Sequence, residues 1–285
     1  MVLSMTGYGK SEATYNGLKV FLEVRSLNSK NLDVNTRIPN RYREMDAQIR
    51  KTIAAQLQRG KVDCSLFYES TDGQTNAVIN LPVVESYMHQ LDALAQVNDK
   101  EKLEIAMRLP DVLKVDRDNL EKAEKSLVHQ LLEAVLKQLN TYRKDEGQAL
   151  YDDFVKRLRL LQKYLSTVSA ADPQRKEAVR QRLQEALAET KEKIDPNRFE
   201  QELIYYLEKF DITEELVRLE NHLKYFEENL NAPQSQGKKL GFIAQEIGRE
   251  INTIGSKVND ATVQHTVVQM KDELEKIKEQ LLNVL

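Results

Sequence analysis

The chain of 285 residues has a single cysteine and no long apolar run, and both features exclude classes of protein. Cys64 has no second cysteine to pair with, so an intrachain disulfide and a cysteine-based zinc site are excluded. Its neighbours Val62, Leu66 and Phe67 read as a strand, which predicts a small core residue. No apolar run reaches the roughly 18–20 residues that a membrane span needs. The first residues also lack the basic start and apolar block of a signal peptide, so we expect a cytoplasmic protein.

The chain has little net charge, but its charges are unevenly placed. The formal net charge is −3, which by itself predicts no polyanionic partner. Residues 19–61, the basic segment, hold ten Lys or Arg against four Asp or Glu. Residues 199–230 hold nine acids against three bases. This asymmetry fits a nucleic-acid-binding surface plus a metal site, and it fits equally well two complementary faces that meet within an oligomer.

Periodicity predicts an α+β fold: a small N-terminal β-rich layer domain, then a mostly helical middle and a C-terminal helical domain. The expected boundaries are residues 1–75, 76–195 and 196–285. Asn16-Gly17 predicts a hairpin turn, and Arg59-Gly60 is expected to end a helix over 41–58. Helix breaks are predicted at Ala171-Asp172-Pro173 and at residues 194–196, on either side of a projecting charged helix.

The most informative stretch of the sequence is 237–260, GKKLGFIAQEIGREINTIGSKVND. An apolar residue every three or four positions predicts one buried helix face, formed by Leu240, Ile243, Ile247, Ile251, Ile254 and Val258. The opposite face carries Gln245, Glu246, Arg249, Glu250, Asn252, Ser256 and Lys257. Glu246 and Glu250 lie one turn apart, where like charges destabilise a helix by roughly 0.2–0.5 kcal/mol. A divalent cation would reverse that effect, although a solvated face neutralised by Arg249 and Lys257 is the simpler interpretation.

A second candidate site lies in 211–223. Glu214, Arg218 and His222 recur every four residues on one line, and Asp211 and Glu215 are on the adjoining face. Such a row can be two helix-stabilising ion pairs. It can also combine a general acid or base with a phosphate clamp, because His titrates near neutral pH and Arg binds phosphate through two parallel bonds.

The C-terminal tail has a heptad-like apolar pattern, which predicts a helix docked in a bundle or an oligomer contact. The residues of this pattern are Val267, Met270, Leu274, Ile277, Leu281 and Val284.

The basic segment is a candidate phosphate-binding surface. Its cations and polar residues are Arg25, Asn28, Lys30, Arg37, Arg41, Arg43, Arg50, Lys51, Arg59 and Lys61. Tyr8, Tyr42 and Tyr68 are candidate stacking faces for bases. Residues 5–9, MTGYG, lack the Gly-Lys-Ser/Thr ending of a phosphate loop and more simply mark a bulge or a close backbone approach. No nucleophile elbow, dinucleotide fingerprint or His-Glu-x-x-His motif occurs.

Several of these stretches resemble the YicC/YloC family of bacterial proteins. The similar segments are SMTGYGK, EVRSLNSKNLDVNTRIP, GKKLGFIAQEIGREINTIGSKVND and the tail VVQMKDELEKIKEQLLNV. They lie at both ends of the chain, and residues 75–195 carry little of the signature. The resemblance implies a cytoplasmic, metal-dependent endoribonuclease that assembles as a homohexamer, clamps RNA in a channel and takes part in bacterial RNA turnover.

Carried onto this sequence, the family motif falls on Gln245, Glu246, Arg249, Glu250, Asn252, Lys257 and Asp260. The preceding helix is similar at Glu214, Glu215, Arg218 and His222, and the N-terminal segment at Arg25, Asn28, Lys30 and Arg37. One departure is Gly241, which stands where the family is expected to have an acid after the Lys-Leu of the C-terminal motif. If that acid binds metal elsewhere, the ligand set here must differ.

The resulting hypothesis is hydrolysis of an RNA phosphodiester, with single-stranded or structured small RNA as the partner. Mg²⁺ or Mn²⁺ would be held by acids drawn from Glu214, Glu215, Glu246, Glu250 and Asp260, and His222 would transfer a proton. Arg218, Arg249 and Lys257 would clamp the phosphate, and the basic segment, including Arg59 and Lys61, would hold the strand. The alternatives are a non-catalytic RNA-binding adaptor that delivers RNA to another nuclease, and a purely structural oligomeric scaffold.

Overall fold

The structure, a computed structural model, describes residues 1–71, 77–94, 98–115, 120–188 and 196–285. It has a small N-terminal sheet followed by helices, which confirms the predicted α+β class. The chain divides into two compact units. The sheet unit comprises Tyr8–Arg25 and Leu32–Leu139, and the bundle unit comprises Met1–Gly7, Ser26–Asn31 and Asn140–Leu285. The predicted boundaries at residues 75 and 195 lie outside the described residues.

Four strands form the main sheet, in the order β1-β2-β4-β3. They are β1 (Gly7–Tyr15), β2 (Leu18–Leu27), β3 (Leu32–Arg37) and β4 (Gly60–Ser70). Asn16 and Gly17 join β1 to β2 with φ of 45° and 72°, which confirms the predicted hairpin turn. β3 and β4 pair in parallel, with Leu32 opposite Gly60 and Arg37 opposite Ser65.

The inner face of this sheet is apolar and fully buried. Alternate residues of β2 and β4 supply it: Val20, Leu22, Val24, Val62, Cys64 and Leu66. Ile49 and Ile53 of α1 (Asp46–Gln56) pack against it, together with the N-terminal part of a long helix described below. Cys64 is therefore a core residue, as predicted. The expected helix over 41–58 is shorter because a 3₁₀ turn, Asn40–Met45, precedes it, and Gly60 begins β4 with φ of 128°.

After β4, the sheet unit contains a second, smaller group of strands and helices. It contains β5 (Ala77–Ile79), α2 (Leu81–Leu94), α3 (Asp99–Ala106) and β6 (Leu113–Val115), and β5 pairs antiparallel with β6. Val84, Ala106 and Val112 form its own small core.

One continuous helix, α4 (Lys122–Ala188), contradicts the helix break predicted at Pro173. A proline inside a helix removes one hydrogen bond, but the residues around it are firmly held. Asp172 Oδ1 accepts from Arg175 Nη2 at 2.7 Å, and the same guanidinium donates to the carbonyl of Phe210 at 2.7 Å. Lys176 also contacts Asp172 at 3.1 Å. These bonds stabilise the helix across the proline. The second predicted break, near residue 195, lies at the edge of a stretch outside the described residues.

Four further helices complete the bundle unit: α5 (Pro196–Lys209), α6 (Thr213–Leu230), α7 (Gly237–Lys257) and α8 (Ala261–Leu281). α6, α7 and α8 share a core with α4, and it includes all six residues of the predicted α7 stripe. The heptad-like residues of the tail are buried in the same core, so this helix docks in a bundle as predicted. No helix in the described residues is both long and apolar enough to span a membrane.

Candidate functional site

α6 and α7 form an antiparallel hairpin that brings the two candidate sites together. The link at its open end is an ion pair, because Lys257 Nζ donates to Glu215 Oε1 at 2.7 Å. Glu215 lies in the first turn of α6 and Lys257 is the last residue of α7. The Glu215 side chain is 8% exposed and that of Lys257 is 31% exposed. The pair therefore closes the hairpin and commits both side chains to each other.

Glu250 is a buried acid on the same hairpin. It is only 4% exposed, whereas the Glu246 side chain one turn earlier is 51% exposed. Within the described part of the chain, Glu250 has neither an ion pair nor a hydrogen bond through its side chain. Arg249 lies 4.0 Å from Glu246, a loose pair of two exposed side chains. The sequence pattern predicts Glu246 and Glu250 as equivalent members of one polar face, but in the structure they differ in exposure.

His222 lies at the level of Glu250. It follows Glu215 by seven residues in α6, and Glu250 precedes Lys257 by seven residues in α7. Two helices that run antiparallel and touch at Glu215 and Lys257 therefore bring His222 and Glu250 to the same height, about two turns from the ion pair. His222 is half-buried, next to the core residue Leu223. A histidine and an unpaired carboxylate thus share one part of the hairpin.

Three of the other predicted site residues are engaged locally. Arg218 and Glu214 form an ion pair one turn apart on the exposed face of α6. Asp260 caps α8, where its Oδ1 accepts from the Val263 amide at 2.9 Å. These are the ordinary tasks of an i,i+4 pair and an N-cap. Neither observation assigns a catalytic role.

The predicted set of five metal ligands does not gather at one point. Among the residues that the structure describes, no group of three or more His, Cys, Asp or Glu is placed to hold a metal ion. The reason is that Glu214, Glu215 and Asp260 each have another partner, in Arg218, Lys257 and the α8 amide. Glu246 and Glu250 remain, one turn apart on α7. Mg²⁺ is commonly held by only one or two carboxylates with waters and substrate phosphates completing its shell, and this pair fits that kind of site.

The predicted RNA-binding residues of the basic segment fall on both units. In the sheet unit, Arg25, Arg37 and Lys61 are exposed and Arg59 is half-buried. In the bundle unit Lys30 is exposed, and Asn28 donates to the carbonyl of Leu282 at 2.5 Å. Arg25 Nε donates to Glu23 at 2.5 Å, while its guanidinium lies 5.4 Å from the centre of the Tyr8 ring.

Two cations of the basic segment have structural partners instead. Arg41 donates two hydrogen bonds to Glu124, at 2.9 and 3.0 Å, and Tyr42 donates a third at 2.7 Å. Burial raises the pKa of Glu124, but the bonds from Arg41 and Tyr42 outweigh it, so the pKa lies below its ordinary value. Arg50 bonds Asp46 and the carbonyl of Val34. Arg41 thus ties the 3₁₀ turn to α4 and Arg50 ties α1 to β3, so neither arginine is free for phosphate.

The tyrosines that were predicted to stack on bases differ in their exposure. Tyr42 is fully buried, with Tyr68 packed edge-on against it, so Tyr42 cannot stack on a base. Tyr8 is 42% exposed on the outer face of the sheet. Phe67 was missed as a candidate, although it is exposed on the same face. The alternation of polar and apolar residues along β4 was a usable signal, because Cys64 and Leu66 point inward and Phe67 must point outward.

Comparison with known proteins places the chain in the class of endoribonucleases. A model described as the N-terminal region of endoribonuclease YicC-like proteins matches residues 2–152, and one for their C-terminal region matches 168–285. Two proteins named probable endoribonuclease YicC, from Clostridioides difficile and Haemophilus influenzae, are each 30% identical to it over the full length of both chains. The chain belongs to the YicC-like endoribonuclease family.

Proposed function

We propose that this protein cleaves RNA phosphodiester bonds at the α6–α7 hairpin, with Glu250 and His222 as the central pair. The observation that carries the proposal is Glu250, a residue only 4% exposed whose carboxylate has no partner among the described residues. Its oxygens are not among the fully buried atoms that lack a partner, so the carboxylate opens to solvent. Covering most of a charged side chain without giving it a partner is costly, and the accessible carboxylate is free to bind a ligand.

The available side chains match the needs of the reaction. Cleavage of a phosphodiester requires a base to accept a proton from the attacking hydroxyl and an acid to protonate the leaving oxygen. His222 is half-buried at the level of Glu250, and an imidazole can both donate and accept a proton. Arg249 is well exposed beside Glu250, and its guanidinium can bind a phosphate through two parallel bonds. Arg218 lies one turn from His222 and can leave its exposed Glu214 partner at little cost.

We further propose that the reaction depends on a divalent cation, Mg²⁺ or Mn²⁺, held by Glu246 and Glu250. The support is their spacing of one turn, the lack of a bonded partner for Glu250, and the preference of such cations for carboxylate oxygens. When bound, the cation neutralises charge on the phosphate. Glu215 and Asp260 take no part, because Glu215 is bonded to Lys257 and Asp260 to the Val263 amide. Glu214 takes no part because it lies in the first turn of α6, about two turns from the level of Glu250.

Assembly as a homohexamer and a part in cytoplasmic RNA turnover belong to the same proposal. The family resemblance supports both, and exposed apolar side chains on the bundle helices support assembly. These are Ile204, Tyr205, Val217, Phe242 and Val268, which are 54% to 62% exposed. Light scattering coupled to size-exclusion chromatography tests the subunit number. A monomer at all concentrations would contradict the hexamer but not the cleavage chemistry.

The decisive experiment compares acid-to-amide variants in an RNA cleavage assay with added Mn²⁺ or EDTA. Glu250→Gln is expected to lower the cleavage rate by at least about a hundredfold, and Glu246→Gln by less. Glu220→Gln is the matched control, because Glu220 is an exposed acid of α6 bonded to Lys224 at 2.7 Å. Wild-type rates for both Glu246→Gln and Glu250→Gln in saturating Mn²⁺ would refute the assignment. Binding of RNA without any cleavage would instead favour an adaptor.

A second readout defines the chemistry. If the RNA 2′-hydroxyl attacks, the products end in a cyclic phosphate and His222→Ala should abolish their formation. If water attacks with the help of the cation, the strand is left with one hydroxyl and one phosphate end, and EDTA should stop the reaction. Analysis of product ends by gel mobility and phosphatase treatment separates the two.

A further inference from the structure

The outer face of the four-stranded sheet contains a cleft that the proposed cleavage site does not use. It has a volume of about 460 Å³ and lies wholly within the sheet unit. Three strands line it, with Glu23 and Arg25 from β2, Arg37 from β3, and Asp63, Ser65 and Phe67 from β4. Arg37 stands directly opposite Ser65 in the parallel β3–β4 pair. The cleft is therefore built on regular, rigid strands.

One wall of this cleft is an aromatic ring that faces solvent. Phe67 is 37% exposed, and its inner side stacks on Phe21, with ring centres 4.8 Å apart and planes inclined by 13°. Phe21 is itself held from above by Lys19, whose ammonium lies 5.0 Å from the ring centre. The outer side of Phe67 is thus a flat apolar surface fixed in orientation, which suits the face of another planar group.

The polar groups of the cleft are mixed in sign. Glu23 accepts a bond from Arg25 at 2.5 Å, and Asp63 accepts from Asn35 at 3.0 Å. Each carboxylate keeps further acceptor positions. Arg37 has no ion pair or hydrogen bond from its side chain among the described residues, so its guanidinium is free. Two carboxylates would repel a bare phosphate, but they suit the amino groups of a nucleobase edge.

We propose that this cleft binds one unpaired nucleotide of single-stranded RNA. The base stacks on Phe67, its edge bonds Asp63 or Glu23, and the adjacent phosphate pairs with Arg37. The proposal rests on the proposed function only in taking RNA as the polymer. It implies that the protein prefers RNA whose bases are splayed out over RNA whose bases are paired. The cleft is a binding site for substrate, separate from the residues assigned to cleavage.

The test is fluorescence anisotropy of the full chain with labelled 12-nucleotide RNA, single-stranded or annealed to its complement. EDTA is present, and a gel run after each titration checks that the RNA is intact. Phe67→Ala and Arg37→Ala are each expected to weaken single-strand binding on the order of tenfold, with little effect on duplex. Phe67→Tyr should bind like wild type, because it keeps a stacking face. Tyr142→Ala is the matched control, since Tyr142 is 49% exposed and does not line the cleft.

The outcomes separate this proposal from the cleavage proposal. Wild-type affinity in both Phe67→Ala and Arg37→Ala, or equal loss for duplex and single strand, would overturn the nucleotide site. Arg37 is exposed, so its variant should fold, and thermal melting checks the Phe67 variants. If binding depends on Phe67 but no RNA is cleaved, the nucleotide site stands and the cleavage proposal fails. If cleavage requires Glu250 but binding ignores Phe67 and Arg37, only the nucleotide site fails.

Discussion

Lys257, the last residue of α7, is bonded at 2.7 Å to Glu215 in the first turn of α6. Both were candidates for the active site from sequence, one as a phosphate ligand and the other as a metal ligand. Their mutual bond gives each a structural task instead. The second oxygen of Glu215 is buried and has no hydrogen-bond partner in the described residues. The carboxylate therefore depends on Lys257 for the compensation of its charge.

Replacing Lys257 by Ala should destabilise the protein by roughly 2–3 kcal/mol. Removing one partner of a wholly buried pair costs about 3–5 kcal/mol, and the partial exposure of Lys257 lowers that figure. Urea unfolding followed by circular dichroism measures the free energy. Glu215→Gln in the Lys257→Ala background should recover part of the loss, because it removes the uncompensated charge. Wild-type stability of Lys257→Ala would show that the bond contributes nothing.

Glu250 and Glu273 are buried acids on neighbouring helices, and they should respond oppositely to the same change. Glu273 Oε2 accepts from Arg157 at 2.9 Å, whereas Glu250 has no bonded partner in the described chain. Glu273→Gln should lower the unfolding free energy by about 1–3 kcal/mol and leave RNA cleavage intact. Glu250→Gln should keep or slightly raise stability while lowering the cleavage rate at least about a hundredfold, because its carboxylate has no bonded partner to lose. Urea unfolding and the cleavage assay on the same two preparations test this contrast. A large loss of stability in Glu250→Gln would make Glu250 a structural residue.

The difference between Glu250 and Glu273 shows which features a sequence pattern can predict and which it cannot. The apolar stripe of α7 was predictable because helical periodicity is local. The burial of Glu250 was not, because it depends on which helices pack beside the edge of that stripe. The role of Arg41 was not predictable either. From the sequence it belongs to the basic segment, but in the structure it is bonded to Glu124, which is 83 residues away. Pro173 predicted a helix break, and the bond that ties down the neighbouring Arg175 is not visible in the local pattern, because its acceptor is the carbonyl of Phe210, 35 residues away.

Glu124 should make the stability of the protein depend on acid pH. Its side chain is 2% exposed and bonded to Arg41, and its pKa in the folded state is lowered. A lowered pKa means that the stabilisation is present above the unfolded value, about 4.3, and is lost as pH falls through the folded value. Glu124→Gln should therefore cost about 2–4 kcal/mol at pH 7, and the difference from wild type should narrow towards pH 2. Urea unfolding of both proteins across this range measures it. A difference that does not change with pH would contradict the role of the charge.

Gly9 and Gly241 should give opposite results when replaced by Ala. A Cβ at Gly9 would lie 2.3 Å from the Val135 carbonyl oxygen, so the close approach of β1 to α4 leaves no room for a methyl group. The atom that this Cβ would meet most closely is a backbone oxygen, so the clash cannot be relieved by a rotamer change, and we expect Gly9→Ala to cost at least about 2 kcal/mol. A Cβ at Gly241 would meet nothing within 4 Å. Since Gly is about 0.8–1.0 kcal/mol less favourable than Ala inside a helix, Gly241→Ala should stabilise the protein by up to that amount. Thermal and urea unfolding of the two variants decide the matter: a neutral Gly9→Ala would mean that β1 can move away from α4, and a destabilising Gly241→Ala would mean that this face of α7 is covered by another subunit.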